Sequence, residues 1–263
     1  MLDRCPICSE KMNLSFKAKV LRKYLAEYVV CTRCGYLRVQ DPYWLEEAYS
    51  SAIAAADTGL VMRNVLLASK VASYLFWVMG ERGHGRYLDA AGGYGMLTRL
   101  MRDFGFDFYW TDKYCSNLLA RGFEYGEHLK GCRAVTAMEV MEHLIDPVAY
   151  VDEVFRMAGT DTMLFTTEIY EGAPPTQEWW YYAFSTGQHI GFFTKTSLEA
   201  LAHRLGLNFI SAQGLHLLSR LPISRSHFMW ATQPYVIKIT QRLIPFRLKS
   251  KTITDHQHIL NIL

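Results

Sequence analysis

The sequence predicts an α/β protein of the doubly wound, Rossmann-like class, with a small cysteine-bearing module at its N-terminus. Three observations carry that expectation. The segment RYLDAAGGYGMLTRL reads as strand, glycine turn and helix. Two further apolar runs, Phe106 to Thr111 and Ala134 to Met138, read as parallel strands spaced by helical or loop sequence. Finally, two C-x-x-C pairs fall within the first 34 residues.

A length of 263 residues suits one α/β domain plus a small module. Half of the residues are hydrophobic and 20% are charged, so the chain can bury a core and is not of the disordered class. A net charge of +3 does not by itself call for a polyanionic partner. The opening MLDRCPICSE lacks the features of a secretory leader. The most apolar run, Val65 to Met79, is broken by Lys70 and is shorter than the roughly 18 to 20 residues of a membrane span. A soluble, cytoplasmic protein is the expectation.

The expected organisation has four parts. Residues 1–41 form the cysteine module. Residues 42–80 form a helical linker or lid, read as helices over 42–57 and 60–79. Residues 81–235 form the main domain, and 236–263 a basic C-terminal tail.

Cys5 and Cys8 form one pair, Cys31 and Cys34 the other. Each pair puts two thiolates on one tight turn, and two such turns complete a tetrahedral sulfur site for Zn2+. A module of about 40 residues builds little core, so a metal supplies its missing stability. Two chance pairs, or two disulfides, are the competing readings. Lys11, Lys17, Lys19, Arg22 and Lys23 between the pairs read as solvated surface.

In the glycine segment, Tyr87 to Ala90 form the strand, Gly92, Gly93 and Gly95 the turn, and Met96 to Phe104 the helix. The strand from Phe106 ends at Asp112, 17 positions beyond Gly95, where a carboxylate can accept hydrogen bonds from two ribose hydroxyls. Asp89, directly before the glycines, would be awkward beside a pyrophosphate, and the glycine spacing departs from the dinucleotide pattern. Both differences favour S-adenosylmethionine.

LDAAGGYG resembles the first motif of class I S-adenosylmethionine-dependent methyltransferases, with Ala91 where that motif usually has its first glycine. EVMEHLIDP at 139–147 is similar to the motif that follows their fourth strand. The resemblance spans about residues 60 to 235 and implies a seven-stranded methyltransferase sheet. It assigns Asp89, Ala91, Gly92, Gly93 and Gly95 to the methionine part of the cofactor, Asp112 to the ribose, and Glu139 to the cofactor loop. Lys113 or Tyr114 would flank the adenine, with Phe123 or Glu124 on its other side.

Glu139, Glu142 and His143 cluster after a strand's C-terminal end, and His189 is a fourth candidate ligand for a second divalent metal. The arrangement resembles metal-assisted O-methyltransferases, in which a metal binds acceptor hydroxyls. Without a metal, Glu139 and His143 would shape the cofactor loop, and His143 or His189 would serve as general base beside Glu142.

Residues 174–193 are rich in aromatics, and Trp179 to Tyr182 can stack on a sugar or pack as core. Residues 207–214 and 227–233 read as a final strand pair. Between 200 and 254 there are eight Lys or Arg and no Asp or Glu.

The function expected is S-adenosylmethionine-dependent methylation of a hydroxyl on a sugar, glycan or other small metabolite. An RNA ribose is the alternative acceptor, and a non-catalytic zinc-dependent binding module is the alternative of another class. Nucleic acid is the less favoured partner; a membrane contact of the basic tail and a homodimer stay open.

Overall fold

The computed structural model describes residues 4–50, 53, 57–80 and 83–262. After the first cysteine pair, β1 (Met12–Val20) and β2 (Tyr24–Cys31) form an antiparallel hairpin. Leu21 and Arg22 turn it with φ of 51° and 61°, the left-handed geometry that matches strand twist. The second cysteine pair follows, and β3 (Leu37–Val39) lies beside β2.

The described residues of 42–57 are less helical than their sequence suggests. Among the described residues of 42–57, only α1 (Leu45–Ala48) is helical. Residues 51–52 and 54–56 lie outside the described set. Trp44 and Ala48 face the hydrophobic cluster under the hairpin, and the Trp44 indole donates to Gly187 O at 2.9 Å. Packing of this aromatic stretch onto the hairpin decides its path in place of helical periodicity. Helix α2 (Leu60–Trp77) forms as expected.

The main sheet then alternates strand and helix: β4 (Arg86–Ala90), α3 (Met96–Asp103), β5 (Asp107–Thr111), β6 (Ala134–Ala137), α4 (Pro147–Ala158) and β7 (Thr162–Phe165). Asp146 caps α4 through Oδ1, which accepts from the amides of Val148 and Ala149 at 3.0 Å, and Pro147 opens the helix. A long excursion carries β8 (Gly191–Phe192) and α5 (Lys195–Arg204), and the chain returns as the hairpin β9 (Asn208–Ala212) and β10 (Leu215–Ser219). Three helices close the chain: α6 (Arg225–Ala231), α7 (Pro234–Arg247) and α8 (Thr252–Ile262).

The strand order is β5-β4-β6-β7-β10-β9, parallel except at β10, which runs antiparallel to both neighbours. A seventh position beside β5 is held by one parallel bridge, Trp110 to Glu124. Neighbouring strand residues supply opposite faces. Leu88, Met163 and Leu218 meet α4 and α5, while Tyr87, Leu164 and Leu217 meet α2, α3 and α6.

The expectation of a strand over 227–233 is corrected. Residues 227–231 lie in α6 and 232–233 in the turn after it, with the Ser224 hydroxyl accepting from His227 N at the helix start. The partner of β9 is the adjacent 215–219, because Gln213 and Gly214 both adopt positive φ and reverse the chain there.

β8 leaves the main domain to pair with β3, so the cysteine module's sheet is β1-β2-β3-β8. Residues of the late domain thus complete the N-terminal sheet. The tail also packs: Asp255 of α8 is 5% exposed and forms a two-bonded ion pair with Arg102 of α3, at 2.7 and 2.8 Å. No helix among the described residues is long and apolar enough to cross a membrane.

Candidate active site and metal centres

A cavity of about 980 Å³ opens at the C-terminal ends of β4, β5 and β6, where open α/β sheets bind ligands. Its floor is the turn after β4. Ala91 takes φ 54°, a left-handed conformation that costs a non-glycine residue about 1 kcal/mol or more. Gly92 packs so tightly that a Cβ would lie 2.7 Å from both Asp89 Oδ2 and Trp110 Cδ1. Gly95 (φ 84°) begins α3 and packs on Asn117 and Ala120; it does not line the cavity.

Asp89 is 2% exposed beneath the turn. Its oxygens accept from the Thr136 hydroxyl at 2.7 Å and the Thr98 hydroxyl at 3.0 Å, tying β4 to β6 and α3. Burial pushes its carboxyl up to about 6. Asp112 is fixed by backbone donors: Gly93 N at 2.9 Å on one oxygen, Tyr114 N and Cys115 N at 2.7 Å on the other. It lines the cavity with unused acceptor capacity for a diol.

A second polar group faces the same cavity. Glu142 is fully buried, and neither of its carboxylate oxygens has a partner at full hydrogen-bond geometry, although the hydroxyls of Tyr181 and Thr167 come close enough to favour its charged form. A ring nitrogen of His143, a ring nitrogen of His189 and a Glu142 oxygen lie within 4.8 Å of one another. The Nδ1 of His143 donates to Gln188 O at 3.0 Å, and the Nδ1 of His189 donates to Tyr181 O at 2.7 Å. Each Nε2 is thereby left with its lone pair, the usual preparation of a ligating histidine. Burial and His189 together push His143 down to about 3, so its ring is neutral near pH 7.

Glu139 does not join this trio. It takes φ 56°, its Oε1 accepts from the Thr166 hydroxyl at 2.6 Å, and Oε2 lies 3.8 Å from Arg63. Burial first, then the charge of Glu142, raises its carboxyl above the ordinary range.

The four N-terminal cysteines converge, with Cys5 Sγ 3.7 Å from Cys34 Sγ and Cys8 Sγ 3.4 Å from Cys31 Sγ. All four are free thiols, which sets aside the disulfide reading. Their sulfurs lie within 4.8 Å of one another, a donor set for one thiophilic ion.

This cluster is tied to the late domain at several points. The Thr194 hydroxyl donates to Cys34 O at 2.7 Å, the Tyr170 hydroxyl donates to Gly35 O, and Arg204 donates to Pro6 O and Ile7 O at 2.6 and 3.1 Å. A Cβ on Gly35 would lie 2.9 Å from Thr194 Cγ2. Next to β8, Ile190 N donates to Glu142 O at 2.8 Å. The cysteine module and the Glu142–His143–His189 trio thus share one short strand.

Asp89, Ala91, Gly92, Gly93, Asp112, Lys113 and Glu139 line the cavity with the trio. Tyr114 lines it as well, stacked on Tyr49 at 4.6 Å between ring centroids. Phe123 and Glu124 do not line it. Phe123 packs under the Arg102 guanidinium, and Glu124 is held by Asn117 and the Gly122 amide. Most of the aromatic loop is core: Tyr181 and Tyr182 are 2% and 1% exposed, whereas Trp180 is 73% exposed at the cavity edge.

Motif reading missed Tyr49, Arg63, Tyr150 and Gln188. The Tyr49 hydroxyl lies 3.1 Å from His143 Nδ1, Arg63 pairs with Asp57 at 2.7 Å, and the buried Tyr150 hydroxyl has no partner. They sit on helices and loops whose spacing signals only burial, so no local pattern marks them.

A strand-borne aspartate under a glycine turn, with a second carboxylate just past the end of the next strand, is the arrangement expected of a class I S-adenosylmethionine-dependent methyltransferase. Residues 62–212 match the family described as Methyltransferase domain, and the chain belongs to it. It is an enzyme of that class.

No curated protein sequence matches the chain. Among solved structures, it is similar to the plantazolicin methyltransferase BpumL in complex with a monoazolic desmethylPZN analog and SAH: 11% identity, TM-score 0.48, covering 76% of this chain and 87% of that one. TnmH gives 18% identity and a TM-score of 0.44, covering 68% of this chain and 60% of TnmH, so the chain spans less than two thirds of its length. A possible histamine N-methyltransferase from Thermotoga maritima gives 10% identity and a TM-score of 0.44, covering 68% of this chain and 98% of that one.

Proposed function

We propose that this methyltransferase acts on a hydroxyl oxygen of a small-molecule or glycan acceptor, held by a divalent ion at Glu142, His143 and His189. The observation that carries the reading is Glu142, a fully buried carboxylate with neither oxygen in a full hydrogen bond and two imidazoles beside it. Leaving such a group unpaired costs several kcal/mol, which a bound cation reverses.

The residues fit the methyl donor. The cavity is large enough for donor and acceptor together, and the glycine turn leaves no side chain between backbone and ligand. In this reading Asp112 accepts from the ribose hydroxyls. Asp89, buried and bonded to Thr98 and Thr136, holds the turn that cradles the methionine end. S-adenosylmethionine supplies a methyl group on a sulfonium, already an excellent leaving group.

The protein's own work is to align the acceptor, exclude water and remove one proton. A divalent ion in the trio supplies Lewis acidity toward an acceptor hydroxyl. His143, neutral and pinned through Nδ1, suits a ligand better than a base. His189 is the second ligand, or the proton acceptor when no ion is bound. Tyr49 and Trp180 line the same cavity. At the N-terminus, Cys5, Cys8, Cys31 and Cys34 bind Zn2+ and stiffen the sheet that ends in β8.

Incubation with S-adenosylmethionine and panels of sugars, glycans and phenols, read by product mass, tests the acceptor class. Activity that survives Glu142→Ala and His189→Ala with a chelator present contradicts the divalent ion.

A further inference from the structure

Helix α7 has two unlike faces. Val236, Thr240 and Ile244 point inward and are buried. On the opposite side, Tyr235, Ile239 and Phe246 are 57%, 48% and 83% exposed, with exposed Arg242 between them. Their spacing, i, i+4, i+7 and i+11, makes one stripe along the helix. Arg242 thus interrupts the apolar stripe, Lys238 lies one turn before it, and Arg247 and Lys249 follow at the stripe's end. Among the described residues, none of these four cations has a carboxylate within 4.0 Å.

The neighbouring elements extend the pattern. On α6, Met229 and Trp230 are 42% and 41% exposed. Trp230 packs edge-on against Trp77, 5.3 Å between ring centroids, and the Trp77 indole donates to Thr240 of α7 at 2.7 Å. From 200 to 254 the chain has no acidic residue at all. A face this apolar and this basic has unmet demands of both kinds in water.

We propose that the α6–α7 face docks on an anionic membrane surface. Large apolar side chains at helical spacing between unpaired cations suit the interfacial layer, where the apolar stripe enters the acyl boundary and lysine and arginine meet lipid phosphates. A second copy of the chain fits poorly. In a two-fold contact this face would meet itself, setting Lys238, Arg242, Arg247 and Lys249 against like charges. An RNA would use the cations and aromatic rings, but leaves Ile239 and Met229 without a role. The docking is peripheral and is independent of the acceptor assignment.

The test is co-sedimentation of the full chain with vesicles of phosphatidylcholine and phosphatidylglycerol, against vesicles of phosphatidylcholine alone. The expected result is binding to the mixed vesicles only, weakening as salt rises. Lys238→Glu with Arg242→Glu lowers the partition coefficient about tenfold or more. Ile239→Ser with Phe246→Ser lowers it comparably, with helix content by circular dichroism unchanged. Equal recovery with both vesicle types, or binding that survives both pairs, overturns the proposal. So does a dimer in sedimentation velocity that Phe246→Ser dissociates, or a single-stranded RNA bound while mixed vesicles are not.

Discussion

His143 and His189 stand edge to face, ring centroids 4.8 Å apart, each with Nδ1 held by a backbone carbonyl. The pair faces the carboxylate of Glu142. The arrangement separates structural from catalytic demands, because a group built only for stability would not leave a buried carboxylate without a full hydrogen bond.

That argument predicts a reversal of sign. Burial raises the Glu142 carboxyl above its ordinary range. A folded-state pKa raised this way means stability falls as pH rises above the ordinary glutamate value. With a chelator at pH 8, Glu142→Gln is expected to be more stable than the wild type by about 1 to 3 kcal/mol. With Mn2+ added, the wild type gains stability and the variant does not. Thermal unfolding with and without the ion measures both.

Asp89 gives a second pH signature. Its carboxyl is pushed up to about 6 by burial, against an ordinary value of 3.8. Between those values the unfolded chain ionises first, so native stability falls as pH rises through this window. The shift of about two units corresponds to about 3 kcal/mol. Asp89→Asn is expected to melt higher than the wild type at pH 8, with the difference vanishing near pH 3. A pH-independent difference contradicts the assignment.

Asp112 bears on the donor site directly. Loss of a charged acceptor for two hydroxyls costs about 1.5 to 3 kcal/mol, so Asp112→Ala should weaken S-adenosylhomocysteine about ten- to a hundredfold. An unchanged dissociation constant would mean the ribose lies elsewhere.

The cysteine cluster should act at a distance. Cys31→Ser is expected to reduce zinc from one ion per chain to none, by elemental analysis. Because β3 pairs with β8 and Ile190 donates to Glu142, amide exchange should quicken across 188–193 as well as in 1–41. Exchange confined to 1–41 would show the module to be independent of the trio.

The sequence made legible what short-range chemistry writes. The glycine turn, the strand from Ala134 and the converging cysteine pairs all stand where the motifs put them. Three features were not legible because tertiary contacts decide them. The stretch after Asp41 lays Trp44 on the hairpin and, among the described residues of 42–57, forms one short helix. Within 227–233, apolar enough for a strand, residues 227–231 follow a serine cap into α6. Phe123 is drawn to the Arg102 guanidinium, 3.5 Å from its ring centroid, by a buried ion pair from α8, more than 130 residues away. Among the candidate ligands, E-x-x-E-H spacing could not tell that Thr166 and Arg63 engage Glu139 while Glu142 lacks a full hydrogen bond.

The most direct measurement is a calorimetric titration of the full chain with S-adenosylmethionine. The account predicts one site per chain and a matching rise in melting temperature. No heat and no thermal shift would contradict it.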